Sequence, residues 1–278
     1  MTAAFRTAGI DTAAHDARLL AAAILGCDAV HLLTERDRPI GTVAGRLAAA
    51  AQRRIAREPV SRILGVKAFF GRDYRVTPAT LDPRPDSECV VETALDLLRG
   101  LRPGDAPLRV LDIGTGTGCL LISILAEINS ASGLGTDIDP DAIAVARENA
   151  TALGVTARTE WAVGTGLAPV RGTFDCLIAN PPYIRSSDIG MLAPEVRVFD
   201  PRAALDGGAD GLDVYRLILC GVIDVVPAGW IVFEVGYDQA DAVLGLLAGA
   251  IERGRLAEVR TIGDISGTRR GVAARTRL

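Results

Sequence analysis

Apolar residues recur at helical spacing through the first sixty residues and predict a small bundle of helices. The first clear helix begins after the Asp11-Thr12 pair, either member of which can cap it, and ends at Gly26. A second helix is predicted over Val43–Arg57, and Pro59 stops it because proline lacks a backbone N–H. We therefore predict an N-terminal helical domain over residues 1–64.

The pattern changes at residue 65, where aromatic residues gather around a glycine. The pair Phe69-Phe70 followed by Gly71 indicates a β-hairpin. Two prolines in Pro83-Arg84-Pro85 then hold the chain extended. We predict that residues 65–84 form a hairpin linker and that residues 85–278 form a second domain.

Short apolar runs alternate with helical segments from residue 108 onward. The predicted strands are Arg109–Ile113, Leu134–Ile138, Thr159–Val163, Phe174–Ala179, Trp230–Val235 and two more near the C-terminus. The predicted helices are Cys119–Glu127, Pro140–Leu153, Leu212–Val226 and Asp238–Glu252. This alternation is typical of a parallel sheet covered by helices on both faces. The predicted fold class is therefore α/β, with a Rossmann-like sheet.

Composition and charge narrow the possible functions. The 278-residue chain is 49% hydrophobic and 23% charged, which is typical of a globular protein with a substantial core. Its net charge of −4 argues against stable nucleic-acid binding. A basic stretch from Arg46 to Arg75 nevertheless fits a solvated helix face, an acidic partner or RNA. No apolar run is long enough to span a membrane, and no export signal is present.

The five cysteines and two histidines limit the chemistry further. The cysteine count is odd and no pair has CxxC spacing, so we expect reduced thiols in a cytoplasmic protein. Both histidines lie near the N-terminus, which removes most histidine-based metal sites and Ser-His catalysis. We expect no metal site.

A glycine loop follows the first predicted strand of the sheet. The run from Asp112 to Gly118 reads D-x-G-x-G-x-G, and Asp137 ends the next strand, where a carboxylate can accept from ribose hydroxyls. NAD and S-adenosylmethionine both fit this arrangement, as does a purely structural turn. The G-x-G-x-G spacing lacks the third glycine position that seats a pyrophosphate, which favours S-adenosylmethionine. Asp112 is expected either to reach the cofactor's amino group or to accept backbone N–H bonds within the loop.

The sequence Asn180-Pro181-Pro182-Tyr183 follows the fourth predicted strand. The Asn180 side-chain oxygen and the Pro181 carbonyl can together accept both hydrogens of a planar –NH2 group, and Tyr183 can lie against its face. The alternative is an ordinary turn, since Asn-Pro is a common turn signal. This motif predicts a substrate whose reacting atom is an amide or amino nitrogen.

With these motifs, nearly the whole chain resembles the peptide chain release factor N(5)-glutamine methyltransferase family (HemK/PrmC type). The residues that carry the resemblance are Asp16–Leu20, Glu58–Val60, Ile63–Gly65, Phe69–Phe70, Thr80–Leu81, Pro83–Glu88, Asp112–Gly118, Asn180–Tyr183 and Ala204–Leu212. The resemblance implies a Rossmann-like S-adenosylmethionine-dependent methyltransferase domain behind a helical domain that docks the substrate protein. It implies methyl transfer to the side-chain amide nitrogen of the glutamine in the Gly-Gly-Gln loop of class 1 release factors, by a protein that we expect to be monomeric.

The expected site has three parts. Catalysis is assigned to Asn180, Pro181 and Tyr183. Cofactor binding is assigned to Asp112, Gly114, Thr115, Gly116, Gly118, Asp137, Ile138, Gly164 and Asn180. Substrate binding is assigned to Asn180, Pro181, Pro182 and Tyr183, and by resemblance to Phe70, Arg84 and Pro85.

Several positions depart from the family pattern. Asp82 replaces an apolar residue, and Asp200 replaces a glutamate before Pro201. Thr165 and Gly166 stand where an acid and a bulky aromatic are usual. An acid there would be expected to bind the adenine amino group.

Two other functions remain open at this stage. The first is a DNA adenine-N6 methyltransferase, because the adenine base also offers a planar –NH2 group to an Asn-Pro-Pro-Tyr site. Such an enzyme normally needs a basic domain that binds the nucleic-acid backbone. A non-catalytic binding module on the same fold is the other alternative, and the Thr165-Gly166 pair keeps it open.

Overall fold

The structure is a computed structural model that describes residues 1–34, 39–101, 106–251, 255–264 and 267–277. It divides into two compact units. The smaller unit contains residues 1–66 together with residues 193–199, and the larger unit contains residues 67–192 and 200–278. In these described ranges, no helix has the length and apolar character needed to cross a membrane.

The smaller unit is helical. Its helices are Thr2–Thr7, Ala13–Leu25, Ala29–Thr34, Ala44–Ile55, Val60–Leu64 and, from further along the chain, Pro194–Phe199. Gly26 adopts a left-handed conformation and ends the second helix, as the sequence predicts. Phe5 and Leu20 lie in a small apolar core, and the buried Arg54 contacts Asp16 and Glu195 at 2.8 and 3.0 Å.

The predicted hairpin follows the helices of the N-terminal segment, and all of it except Val66 belongs to the larger unit. The hairpin strands are β1 (Val66–Phe69) and β2 (Arg72–Arg75). The two residues between them, Phe70 and Gly71, both have positive φ, as a tight two-residue hairpin turn requires. Phe70 is a costly residue for this conformation, and its N–H donates to Glu88 Oε1 at 2.9 Å.

A seven-stranded sheet forms the centre of this unit. Its strands are β3 (Leu108–Ile113), β4 (Ala131–Asp137), β5 (Thr159–Val163), β6 (Cys176–Ala179), β7 (Trp230–Glu234), β8 (Leu256–Gly263) and β9 (Arg269–Thr276). Their order is β5-β4-β3-β6-β7-β9-β8. Strand β9 runs in the direction opposite to the other six strands, so it pairs antiparallel with both β7 and β8. This confirms the predicted α/β fold class.

Helices cover both faces of the sheet. The long helices and helical segments are Glu88–Leu101, Cys119–Glu127, Pro140–Ala152, Asp213–Leu219, Val222–Val225 and Ala240–Ile251. Short 3-10 turns occur at Gly41–Val43, Pro85–Ser87, Thr156–Arg158, Ile189–Met191 and Arg202–Ala204. One apolar core contains Leu98 and Leu121, and a second core on the other face contains Tyr215 and Leu247. Burial on both faces explains why β6 is a continuous apolar run and why β3 is apolar except at Arg109 and Asp112.

Several element boundaries differ from the sequence prediction. The strand predicted over Phe174–Ala179 begins at Cys176, and the strand predicted over Trp230–Val235 ends at Glu234. Strand β4 begins at Ala131 rather than Leu134, because Gly133 and Gly135 leave room for the side chains of Leu121 and Trp161 and carry no apolar signal themselves. The predicted helix Leu212–Val226 is wrong as a single helix, because it breaks after Leu219 and resumes at Val222. The last helix begins at Ala240, and its predicted end at Glu252 lies outside the described residues.

The strand order creates a topological switch point at the carboxyl ends of the parallel strands. The chain runs outward from β3 to β4 and β5, then returns to β6 on the other side of β3. In parallel sheets, ligands bind where the carboxyl ends of such diverging strands meet. At that edge, the glycine loop follows β3, Asp137 ends β4 and Asn180 follows β6.

Candidate active site

A cavity of about 490 Å³ opens at this edge of the sheet. Its size is within the usual range for a small-molecule or cofactor site. The predicted residues that line it are Arg84, Gly114, Thr115, Gly116, Asp137, Ile138, Gly164, Asn180, Pro181 and Pro182. The predicted residues Phe70, Pro85, Asp112, Gly118 and Tyr183 do not line it.

The glycine loop connects β3 to the helix Cys119–Glu127 and forms the floor of the cavity. A Cβ at Gly116 would meet no atom within 4 Å, so the missing side chain leaves open space for a ligand. The Gly116 N–H donates to Asp137 Oδ2 at 2.9 Å, which ties the loop to the end of β4. Gly118 has a packing role instead, because a Cβ there would lie 2.8 Å from Ile122 Cδ1.

Asp137 faces the cavity with acceptor capacity to spare. Its Oδ1 accepts from the Asp139 N–H at 3.0 Å and its Oδ2 from Gly116, so each oxygen retains a lone pair. Burial raises the pKa of this carboxyl, and the two backbone N–H groups lower it. A vicinal pair of hydroxyls is a suitable partner for such a group.

Asp112 lies behind the loop. It is 1% exposed, its Oδ2 accepts from the Thr115 hydroxyl at 2.6 Å, and its Oδ1 has no hydrogen-bond partner among the described residues. Burial raises its pKa to about 7, and the Thr115 bond partly opposes that rise. This bond ties Asp112 to the loop, but its donor is the Thr115 hydroxyl and not the backbone N–H groups that the sequence predicts.

The Asn-Pro-Pro-Tyr segment forms the wall after β6. Asn180 lines the cavity, and its Nδ2 donates to Ser87 Oγ at 3.3 Å. Pro181 and Pro182 line the same wall. Tyr183 points behind it, where its hydroxyl donates to Glu234 Oε1 at 3.4 Å and burial raises the phenol pKa well above its ordinary value.

The run Ala204–Leu212 packs against the back of this wall. Ile184 donates to Leu205 O at 3.0 Å, and Gly207 donates back to Ile184 O at 2.8 Å. A Cβ at Gly207 would lie 2.6 Å from the Pro182 carbonyl oxygen. The glycines in this run therefore allow two backbone segments to touch, which is a structural reason for a motif that sequence alone identified only by resemblance.

An ion pair includes Arg84, which lines the cavity. Arg84 Nη2 donates to Asp200 Oδ2 at 2.6 Å, and the Asp200 side chain is 2% exposed while that of Arg84 is 39% exposed. Asp200 thus supplies the acid expected before Pro201 despite its shorter side chain. Asp82 is buried and also lines the cavity.

The packing around Leu217 explains the departure from the family pattern at Gly166. Gly166 has φ +52°, and a Cβ there would lie 3.1 Å from Leu217 Cδ2. Leu217 and Ile138 both line the cavity and are 46% and 53% exposed. Leu217 therefore occupies the space that a bulky residue at position 166 would need.

Sequence reasoning missed Ser87, Glu234 and Leu217 as site residues. Ser87 lies in the run Pro83–Glu88 that carries the family resemblance, but its contact with Asn180 joins residues far apart in sequence. Glu234 did carry a signal, because it is an acid within the apolar run Trp230–Val235. A charged residue inside a buried strand is a candidate functional group.

The residues that line the cavity fit S-adenosylmethionine in three respects. The open floor at Gly116 admits a ligand, and Asp137 can accept from ribose hydroxyls. Ile138 and Leu217 offer apolar surface for a flat base.

Comparison with known proteins agrees with this arrangement. The PrmC N-terminal domain family matches residues 1–65, and the methyltransferase small domain family matches residues 93–199. The chain is 46% identical to the release factor glutamine methyltransferase of Rhodospirillum rubrum, over 98% of this chain and 82% of that protein. It is 42% identical to the protein of the same name from Bradyrhizobium diazoefficiens, over 99% of this chain and 92% of that protein.

A solved structure shares the fold at low identity. The hMettl16 catalytic domain, crystallised with the MAT2A 3′UTR hairpin 6, superimposes with a TM-score of 0.57 at 16% identity, over 84% of this chain and 81% of that one. This likeness supports the methyltransferase fold alone. The near full-length matches at more than 40% identity show that the chain belongs to the release factor glutamine methyltransferase family, whose members are S-adenosylmethionine-dependent enzymes.

Proposed function

We propose that this protein transfers the methyl group of S-adenosylmethionine to the side-chain amide nitrogen of the glutamine in the Gly-Gly-Gln loop of class 1 release factors. The observation that carries the proposal is the position of Asn180 and Pro181 on the wall of the cavity that also contains Gly116 and Asp137. One cavity thus brings together a site for a nucleoside cofactor and acceptors for a planar –NH2 group. The names of the relatives support the choice of glutamine.

Cofactor binding is assigned to the sheet edge. Asp137 would accept from the ribose hydroxyls, and Ile138 with Leu217 would enclose the base. Asp112 would hold the glycine loop in place through its bond with Thr115. The bound cofactor supplies a methyl group that is already activated by its sulfonium. The protein therefore needs chiefly to align donor and acceptor, and alignment can lower a barrier by roughly 7–11 kcal/mol in favourable cases.

Substrate orientation is assigned to Asn180 and Pro181. An amide nitrogen is a weak nucleophile because its lone pair is delocalised into the carbonyl. The Asn180 Oδ1 and the Pro181 carbonyl would each accept one N–H, which fixes the nitrogen and stabilises the positive charge that develops on it. The proton can leave after transfer, so a strong general base is unnecessary and the lack of histidine here is compatible with catalysis.

The remaining assigned residues support this geometry. Arg84, oriented by Asp200, would contact the release factor at the rim, and Tyr183 would stiffen the wall from behind. Phe70 and Pro85 lie outside the cavity lining, and we propose that they shape the entrance. The small helical domain is proposed to dock the release factor.

Mass spectrometry tests this proposal. A purified class 1 release factor is incubated with the protein and isotope-labelled S-adenosylmethionine, and the tryptic peptide containing Gly-Gly-Gln is sequenced. We expect one labelled methyl group on the glutamine side chain, and none in a release factor whose loop glutamine is replaced by asparagine. Label on another residue, or no label while the cofactor binds, would contradict the proposal.

A further inference from the structure

A buried carboxamide, that of Gln239, lies at the junction between β7 and the helix Ala240–Ile251. Gln239 is 3% exposed and does not line the cavity. Its backbone is fixed on both sides, because its N–H donates to Gly236 O at 2.9 Å and its carbonyl accepts from the Val243 N–H at 3.0 Å. The side chain therefore extends from a rigid strand-to-helix junction.

The Gln239 carboxamide makes three hydrogen bonds, all to backbone groups. Its Oε1 accepts from the Gly236 N–H at 3.1 Å. Its Nε2 donates to Tyr183 O at 2.8 Å and to Gly211 O at 3.5 Å. These partners fix the orientation of the amide, because a flipped carboxamide would place its oxygen against two carbonyl oxygens and its –NH2 against an N–H. Gln239 thus joins the end of β7 to the Asn-Pro-Pro-Tyr segment and to the run Ala204–Leu212.

Two glycines leave the space that this carboxamide occupies. A Cβ at Gly211 would lie 2.4 Å from Gln239 Nε2, and a Cβ at Gly236 would lie 2.7 Å from Gln239 Oε1. A larger residue at either position would collide with the carboxamide. The two glycines follow different strands, β6 and β7, so this fit belongs to the assembled site and not to one local turn.

We propose that Gln239 is a positioning residue for methyl transfer, which holds the Asn-Pro-Pro-Tyr segment by its Tyr183 carbonyl. Pro181 and Pro182 fix their own φ angles, so the segment is stiff. A shift at Tyr183 is therefore passed on to Asn180 and to the Pro181 carbonyl, the two acceptors assigned to the substrate –NH2 group. The inference rests on the proposed function, because it concerns the alignment of these acceptors.

Gln239→Met tests this role, since methionine has nearly the same length but cannot form the three hydrogen bonds. A misplacement of about 1 Å can cost about a hundredfold in rate, so the smaller shift expected here should lower kcat about tenfold. The KM for the release factor and the Kd for S-adenosylmethionine should stay within about twofold of wild type, because Gly116 and Asp137 lie at the ends of other strands. A residue that only stabilised the fold would leave the kcat of the folded variant unchanged.

Asp238→Asn is the matched control. Arg185 Nη2 donates to Asp238 Oδ2 at 2.9 Å, so this ion pair joins the same two connections as the contact between Gln239 and Tyr183. The side chains of Arg185 and Asp238 are 40% and 37% exposed, and exposed pairs of this kind contribute little. We expect wild-type kcat in Asp238→Asn.

Gly236→Ala displaces the carboxamide without changing its chemistry. The φ of Gly236 lies outside the left-handed region, so alanine is conformationally allowed there. The new Cβ would meet the flexible end of the Gln239 side chain, which can rotate away at little cost to folding. We expect the same selective loss of kcat, and this variant gives the decision if Gln239→Met does not fold.

Amide hydrogen exchange separates this inference from the proposed function. The Ile184 N–H donates to Leu205 O and the Gly207 N–H donates to Ile184 O, so both amides report on the wall. In the cofactor-free protein, both should exchange about five- to tenfold faster in Gln239→Met than in wild type, with the amides of β3 as the reference for global unfolding.

The exchange measurement needs no release factor, whereas absence of methylation by the wild-type protein would count against the proposed function alone. Wild-type exchange at both amides, or wild-type kcat in both Gln239→Met and Gly236→Ala, would overturn the positioning role.

Discussion

Gly207 offers a steric probe of the wall that carries Asn180. Its φ lies outside the left-handed region, so alanine is conformationally allowed there. A Cβ at this position would lie 2.6 Å from the Pro182 carbonyl oxygen and 2.9 Å from both the Cα and the carbonyl oxygen of Gly211. These are all backbone atoms, which cannot rotate away as a side chain can. Gly207→Ala therefore pushes directly on the Asn-Pro-Pro-Tyr segment.

The size of the effect follows from these distances. Ordinary contacts of a Cβ begin at 3.4 Å, so the two segments must separate by several tenths of an ångström. Overpacking of this kind costs about 1–3 kcal/mol of unfolding free energy. A misplacement of about 1 Å can cost about a hundredfold in rate, so a smaller shift should lower kcat by about tenfold or somewhat more. Cofactor affinity should change little, because Gly116 and Asp137 follow different strands.

The assay compares Gly207→Ala with Gly190→Ala. Gly190 lies earlier in the same connection after β6, and a Cβ there would meet no atom within 4 Å. Methyl transfer to the release factor, cofactor binding by calorimetry and chemical denaturation are measured for both variants. Turnover equal to wild type in Gly207→Ala, with a stability equal to that of Gly190→Ala, would refute the steric reasoning.

Two further predictions concern the cofactor side of the cavity. Because burial raises the Asp112 pKa from 3.8 to about 7, its contribution to the stability of the cofactor-free protein is fully present below about pH 4 and is lost as pH rises through 7. Asp112→Asn should therefore unfold at higher denaturant than wild type at pH 8 but not at pH 4, and an equal difference at both values would contradict this assignment. Leu217→Ala removes apolar surface from the cavity wall and should weaken S-adenosylmethionine binding by about 1–2 kcal/mol in calorimetry. Unchanged affinity in Leu217→Ala would mean that the base does not contact this wall.

The sequence predicted those parts of the site that are encoded in short contiguous motifs. Gly114, Gly116, Asp137 and Asn180 each end or follow a strand of a parallel sheet, and the fold brings such ends together. Glycine spacing and the Asn-Pro-Pro-Tyr run were therefore sufficient to locate the cavity.

The features of the site and the fold that were not predicted depend on contacts between distant segments. Ser87 meets Asn180 only because the 3-10 turn Pro85–Ser87 lies beside the end of β6, and no local pattern encodes that approach. Strand β4 begins at Ala131 because Leu121 packs over Gly133, a tertiary effect that outweighs weak local propensity. The break after Leu219 was not predicted because the apolar residues before and after Gly221 keep helical spacing.

The most direct test of the central claim is single-turnover methyl transfer by Asn180→Ala at saturating cofactor, beside calorimetric binding of S-adenosylmethionine to the same variant. The proposed grip on the substrate amide predicts that transfer to the release factor glutamine is lost while cofactor affinity stays close to that of wild type. Wild-type transfer by Asn180→Ala would contradict the claim that this carboxamide orients the reacting nitrogen.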